Sequence, residues 1–340
     1  MQRLYKCLSN LEYVYEDYKL IVIRDEDMYP IMQWRNEQID ILRQKEPLTK
    51  EKQEWYFRNV VDKLFEVEKP NQLLFGFLEN DILIGYGGFV HIDWESQNAE
   101  ISFLTDSKRL EPDMFSKDWE SFLNLIKRIA NLELDFTKIY TYSYDIRPKL
   151  YQILKKNNFI EEARLKNHIS INDKQYDVFI HSYFFEPIFF RMANQEDVTL
   201  YFKWVNDSSV RNNSLQNEPV KYEGHYKWFI SKLNNENYRF YLFFNKQNTA
   251  VGQVRIESED SETIIGISVD ESYRGKSLSS KMLVKATNDF FARVPSGKIF
   301  AYIKKANISS YKSFISAGFT EQSIVVNNGI TCHKLVKKNV

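Results

Sequence analysis

The stretch VDESYRGKSLSSKMLVKA, residues 269–286, joins the end of an apolar run, TIIGISVD, to a helix-forming pattern. Arg274, Gly275 and Lys276 stand between the two. A strand ending at Asp270, a tight turn and a helix beginning near Ser277 make an anion cradle. The first-turn amides of a helix lack intrahelical partners and lie at the positive end of its dipole. A diphosphate fits such a place. An ordinary strand-to-helix turn with solvated basic residues has the same local pattern, so the surrounding chain has to decide.

Two halves of the chain carry the same order of signals. In the first, YKLIVIRD reads as a strand, followed by a polar helical region from YPIMQWRNEQIDILRQ to EKQEWYFRNVVDKLF. QLLFGFLEND and ILIGYGGFVHID then meet at the hairpin signal Asn80-Asp81. After the strand NAEISFLT, Phe122, Leu123, Ile126, Ile129 and Ala130 share one helical face. A strand KIYTYSYDI, a helix opened by Pro148 and a closing hairpin complete that half. The second half repeats the order from about Pro187, with turns at Lys246–Asn248 and Asn328-Gly329. There Leu278, Met282, Ala286 and Phe290 recur every four residues. Trp34-x-Asn36 echoes Trp204-x-Asn206, and Gly85 echoes Gly252. Tyr151 precedes Phe159 as Tyr311 precedes Phe319. A spacing this long indicates duplicated domains, expected at 1–185 and 186–340, rather than a solenoid.

Composition narrows the function. Lys plus Arg and Asp plus Glu each number 46, so no global field draws the chain to nucleic acid or to an anionic membrane. Cys7 and Cys332 form no thiolate metal pattern, and the five histidines are scattered without an H-x-x-x-H pair, so no metal is expected. MQRLYKCLSN has no apolar signal-peptide core, and a cytoplasmic location is expected.

The second half resembles the GNAT superfamily of acyl-CoA-dependent N-acyltransferases. The family's diphosphate loop, [Q/R]-x-x-G-x-[G/A], is matched through Arg274, Gly275, Lys276, Ser277, Leu278 and Ser279, with serines at the later small positions. Asn307-x-x-Ser310 with Gly318-Phe319 resembles the family's last helix, which packs beside the pantetheine arm. The resemblance implies an α/β (α+β) fold of two tandem GNAT-like domains, each a mixed, mostly antiparallel sheet flanked by helices. It implies acyl-CoA as cosubstrate, held by the loop residues with Asn307, Ser310 and Phe314. It also implies a splayed, bulged strand at TIIGISVD. There Gly266 suits the bulge, and amides around Ile267 to Val269 polarise the thioester carbonyl. Phe314 stands where many members have a tyrosine as general acid; Tyr311, one turn earlier, is a candidate substitute, with a core residue as the plainer reading.

In the first half the loop is replaced by SKRLEPDMFSKDW, without glycine and with Pro112, so this copy is expected not to bind CoA. His91 and Asp93 are read on one strand face with Glu100 on the next strand, as a candidate polar site. In the second half Asn206, Arg211 and His225 resemble the acceptor edge of sugar-nucleotide-modifying members. Arg211 would pair with a nucleotide diphosphate, while Asn206 can equally be a cap or turn residue. His225, His91, Asp93 or a water can serve as base. The resemblance to tandem enzymes acting on dTDP-3-amino-3,6-dideoxyhexoses implies a nucleotide-linked amino sugar as acceptor, destined for bacterial surface polysaccharide. The acyl group would be acetyl or longer, such as 3-hydroxybutyryl. A protein or ribosomal N-acetyltransferase and a non-catalytic acyl-CoA-binding module remain alternatives.

Overall fold

A computed structural model describes residues 3–259 and 262–339. The chain divides into two compact units, Met1–Phe185 and Glu186–Val340.

The first unit is built on β1 (Glu12–Tyr15), β2 (Tyr18–Val22), β3 (Leu73–Glu79), β4 (Ile82–Asp93), β5 (Asn98–Thr105), β6 (Lys138–Tyr144), β7 (Ile160–Ile171) and β8 (Lys174–Phe184). They form one sheet in the order β1-β2-β3-β4-β5-β6-β8-β7. All neighbours are antiparallel except β5 and β6. Helices α1 (Met28–Glu37), α2 (Lys50–Tyr56), α3 (Asp62–Leu64), α4 (Pro112–Leu132) and α5 (Pro148–Lys156) flank it. A single π turn, Phe57–Val61, links α2 to α3. Asn80 and Asp81 both take positive φ, as a two-residue type I′ hairpin requires.

The second unit repeats the plan. Its strands are β9 (Ile188–Met192), β10 (Tyr238–Asn245), β11 (Ala250–Glu259), β12 (Glu262–Val269), β13 (Lys298–Lys304), β14 (Thr320–Asn327) and β15 (Ile330–Lys338), ordered β14-β15-β13-β12-β11-β10-β9. Its helices are α6 (Val198–Val205), α7 (Ser208–Asn213), α8 (Tyr222–Leu233), α9 (Leu278–Arg293) and α10 (Ile308–Ser316). Leu278, Met282, Ala286 and Phe290 are all buried on the face that α9 turns to the sheet. Leu278, Met282 and Phe290 each contribute roughly 1.5–3 kcal/mol relative to exposure. On the other face Val198, Tyr201, Trp204 and Phe229 pack with Tyr238, Phe240 and Leu242.

The repeated Trp-x-Asn has a structural cause. Asn36 accepts from the Leu48 amide at 2.7 Å and donates to the Leu48 carbonyl at 2.9 Å. Asn206 does the same with Val220, at 2.8 and 3.0 Å. In each unit one amide side chain closes the loop after the first long helix by mimicking a strand pairing. The Tyr echo is also a repeat: Tyr151 lies against His181 and Tyr311 against His333, with centroids 5.0 and 4.5 Å apart.

Candidate active site

The sheet of the second unit opens in its middle. β12 pairs with β13 in parallel at Ile264 and Phe300 alone, whereas β11 and β12 stay in register from Glu259 and Glu262 to Gly252 and Val269. The expected splay is present. The expected bulge is not, because Gly266 sits in an unbroken ladder opposite Arg255. Asp270 donates its amide to Val251 on β11 at 2.9 Å. Strand period then turns the amides of Val269 and Ile267 the other way, toward the gap that β13 leaves.

Beside this gap lies a cavity of about 860 Å³. Ile267, Val269, Leu278, Ser279, Ser310 and Phe314 line it from the α9–α10 side. His225, Trp228, Gln253, Arg255, Glu257 and Ser268 line it from the α6–α8 side. Arg211, Arg274, Gly275, Ser277 and Asn307 are also at its wall.

At one end is the turn before α9. Gly275 and Ser277 both have positive φ, 77° and 57°. An added Cβ at Gly275 would meet nothing within 4 Å. The left-handed step at Ser277 redirects the chain into α9 and leaves the helix's first amides uncapped by that side chain. Arg274 is engaged elsewhere as well as at the turn. Its guanidinium donates to Asp207 at 2.7 Å and to the Val269 carbonyl at 3.1 Å. Burial opposes ionisation of Asp207, yet the Val210 amide and Arg274 together hold its carboxyl below the ordinary range. Lys276 does not line the cavity; its ammonium lies 4.7 Å over the Tyr273 ring. Asn307 caps α10, accepting from the Ser310 amide at 3.1 Å.

At the other end is a polar group that sequence reading largely missed. Four buried polar atoms without a partner line this cavity: Arg211 Nε, His225 Nε2, Gln253 Oε1 and Arg255 Nε. Burial, with Arg255 nearby, holds the His225 imidazole below its ordinary pKa, so it is neutral at pH 7. Arg255 was invisible in the sequence because its partner Gly266 is identified only by strand register.

Two further candidates of this unit, Asn206 and Tyr311, stand outside this cavity. Asn206 is fully engaged with Val220. Tyr311 points to β14, donating to Glu321 at 2.8 Å, and Glu321 in turn meets His333 at 2.9 Å. Phe314 faces the cavity instead. The helical phase that seemed to bring Tyr311 alongside thus carries it to the opposite side.

In the first unit the alternation read for His91 and Asp93 is broken. The β4–β5 register shifts between Val90 and Asp93, and His91 takes φ 50°. Asp93 instead ties its own turn, accepting from the amides of Glu95 and Ser96 at 3.0 and 2.9 Å. His91 and Glu100 are joined by Arg43, which donates to the carboxylate at 2.9 Å, lies 3.0 Å from the imidazole and covers the Tyr142 ring at 4.1 Å. Beyond Glu100 and Tyr140, β5 parts from β6. There Gln38 donates to the Thr105 carbonyl at 2.8 Å and accepts from Arg147 at 3.2 Å, so polar side chains bridge the region. The turn before α4 places Arg109 on Asp118 and Glu79 rather than toward a ligand. Among the described residues no group of His, Cys, Asp or Glu is arranged to hold a metal ion, and no helix is long and apolar enough to cross a membrane.

Comparison with known proteins agrees with this architecture. Residues 20–180 match one family model described as an acetyltransferase (GNAT) domain, and residues 188–320 match a second of the same description. The chain belongs to the GNAT acetyltransferases, with two of their domains in tandem. Among curated proteins, an uncharacterized protein of Methanocaldococcus jannaschii is 27% identical over 134 residues, covering 39% of this chain and 28% of that protein's length. Among solved structures, spermidine N-acetyltransferase from Vibrio cholerae in complex with CoA and spermine has a TM-score of 0.41 at 14% identity, over 45% of this chain and 95% of its own. The aminoglycoside acetyltransferase AAC(6')-Ib with ribostamycin and coenzyme A has a TM-score of 0.41 at 17% identity, over 45% and 94%.

Proposed function

We propose that the second domain transfers an acyl group from acyl-CoA to the amine of a nucleotide-linked amino sugar, in the cytoplasm. One observation supports this most. A single cavity takes in the turn before α9, the amides of Ile267 and Val269 at the strand gap, and the unpartnered Nε2 of His225.

The fit to acyl-CoA rests on this chain's own groups. The uncapped first turn of α9 suits the diphosphate, and the gap beside β12 suits an extended pantetheine arm. When bound, the thioester supplies an activated acyl group. The amides of Ile267 and Val269 point to where the carbonyl oxygen gains charge. His225, neutral and held on α8, takes a proton from the acceptor ammonium through Nε2. Holding both reactants in one cavity supplies much of the rate. On α10 the cavity is lined by Phe314 and by the hydroxyl residues Ser309, Ser310 and Ser313.

The acceptor class rests on the resemblance to sugar-nucleotide acyltransferases and on the charge of the wall. Three arginines line the cavity: Arg274 is paired with Asp207, and Arg211 and Arg255 have between them one lining carboxylate, Glu257. Polyamine or aminoglycoside acceptors, named for the similar structures, would bring cations to that wall. The first domain, with Pro112 at the head of α4 and Arg109 turned to carboxylates, serves as a partner that does not take CoA.

A thiol-release assay tests this. Acetyl-CoA and 3-hydroxybutyryl-CoA are crossed with UDP-, dTDP- and GDP-linked amino sugars, a polyamine and a peptide. Turnover with a sugar nucleotide is expected. A flat response to all of them beside turnover of the peptide or polyamine would overturn the acceptor assignment. CoA binding without thiol release from any amine would leave only a binding module.

A further inference from the structure

Arg255 stands at the middle of β11, and its cross-strand neighbour is Gly266. A Cβ added at Gly266 would lie 3.4 Å from Nη2 of Arg255 and 3.9 Å from its Nε. The guanidinium therefore occupies the space over β12 that a side chain at 266 would fill. Trp228 covers it, with its ring centroid 5.2 Å from Cζ. One carboxylate, Glu257, reaches it at 3.3 Å, and its Nε is buried without a partner.

Arg211 faces the same cavity and is held by neutral oxygens. It donates to the carbonyls of Gln216 and Glu218 and to the Ser214 hydroxyl, each at 3.2 Å. Its Nε too is buried and unpartnered. Burial, and then the neighbouring Arg255, disfavour its charged form, and the same two influences act on His225. Two guanidiniums that repel each other share a wall with a single acid. Such an arrangement is stabilised when an anion enters.

Its location separates this anion from that of the coenzyme. Gly266 is three residues from Val269, so about 10 Å of strand separates Arg255 from the turn before α9. The two also lie on opposite faces, because Gly266 and Ser268 share one face of β12 and Ile267 and Val269 the other.

We propose that Arg255, seated over Gly266 and assisted by Arg211, is the specificity-determining residue that grips the diphosphate of the acceptor. This rests on the acceptor assignment above. It adds which residues recognise the acceptor and why position 266 lacks a side chain. A residue larger than alanine at 266 would displace the guanidinium while leaving its charge in the protein.

The test uses thymidine diphosphate, without any sugar, titrated calorimetrically into the full chain saturated with CoA. CoA saturation removes the coenzyme's own diphosphate site from the readout. Thymidine diphosphate is expected to bind wild type, and thymidine to bind at least tenfold more weakly. Arg255→Met and Gly266→Leu should each weaken thymidine diphosphate about 10- to 100-fold, the range for a lost hydrogen bond to a charged group. Arg255→Lys should fall between, since it keeps charge but not the planar fork. CoA affinity, titrated separately, should stay within about twofold and certifies that each variant is folded. Thymidine diphosphate that fails to bind wild type, or binds Arg255→Met as tightly, overturns the proposal even where amino-sugar nucleotides are acylated. Arg255-dependent binding with no sugar nucleotide acylated would sustain the anion site and reject the acceptor assignment alone.

Discussion

Arg274 donates to Asp207 at 2.7 Å across 67 positions of chain, joining the turn before α9 to the start of α7. Asp207 also caps α7 through the Val210 amide at 3.0 Å. The arginine is therefore both a wall of the proposed coenzyme site and a clasp. Arg274→Glu sets two carboxylates against each other and removes a donor from the turn. The expected result is a rise of at least about tenfold in KM for acetyl-CoA, as for loss of one charge-assisted bond. Arg274→Lys should give a smaller rise. Steady-state kinetics at saturating acceptor decide it, and an unchanged KM would take this turn out of the coenzyme site.

Ser277 carries a backbone that favours glycine. A left-handed residue with a Cβ costs about 1–2 kcal/mol, part of which glycine returns through its freer unfolded chain. Ser277→Gly should therefore raise the melting temperature slightly, by about 1–2 °C, and leave CoA affinity equal or improved. Ser277→Val, β-branched in the same conformation, should melt lower and bind CoA more weakly. If valine bound CoA as well as glycine, the conformation of the turn would not govern the cradle.

The pH profile should carry the mark of His225. Its pKa lies below the ordinary 6.5, first through burial and then through Arg255. A base acts unprotonated, so kcat/KM should fall on the acid side with an apparent pKa below 6.5 and be flat from there to pH 7.5. His225→Gln should lower kcat by about 100-fold or more and abolish that limb. Stability follows the same sign. The unfolded imidazole binds its proton first, so the fold loses stability as pH drops below about 6.5, and the Gln variant should lose less. An acid limb that survives in His225→Gln would assign the base elsewhere.

Much of the fold could be read because its signals are local. Asn80-Asp81 and Asn328-Gly329 force tight hairpins by their own conformations, and the four-residue recurrence from Leu278 to Phe290 defines a buried face without reference to anything distant. The repeat Trp-x-Asn was visible, but its purpose was not. Asn36 and Asn206 meet Leu48 and Val220 only after a loop has folded back, so Asn206 read as an acceptor contact is instead a loop clamp. Arg255 is not legible in the sequence for a similar reason: its importance depends on facing a glycine across a strand pair whose register no short window reveals. His91 and Asp93 do not share a face, because a register shift between Val90 and Asp93 breaks the alternation that their spacing predicts.

Asn206→Ala and Asn36→Ala follow from that clamp. Each leaves a loop amide and a loop carbonyl unpaired, at a cost of about 1–3 kcal/mol where they are buried. Proteolysis after Asn206→Ala should begin within 207–221, and after Asn36→Ala within 37–49, at protease levels that leave wild type intact. The Asn206 variant should retain acceptor specificity, with any change in KM shared by acyl-CoA and acceptor. A selective loss of acceptor binding with the loop still protected would restore Asn206 to the acceptor wall.

For Tyr311 the family-like pattern of α10 suggests one role and its geometry another. Its hydroxyl donates to Glu321, which raises its pKa and moves it away from a proton-donor's useful range near neutrality. The ring lies against His333, and the cavity wall at this level is Phe314. Tyr311→Phe should therefore keep kcat within about twofold and shift the melting point by no more than an exposed hydrogen bond, ~1 kcal/mol, allows. Phe314→Tyr, by contrast, introduces a hydroxyl at the cavity wall and should alter kcat and its basic-side pH dependence. A drop of 100-fold or more in Tyr311→Phe, with the acid-side limb unchanged and the basic-side limb lost, would mean that α10 presents this tyrosine to the leaving sulfur after all.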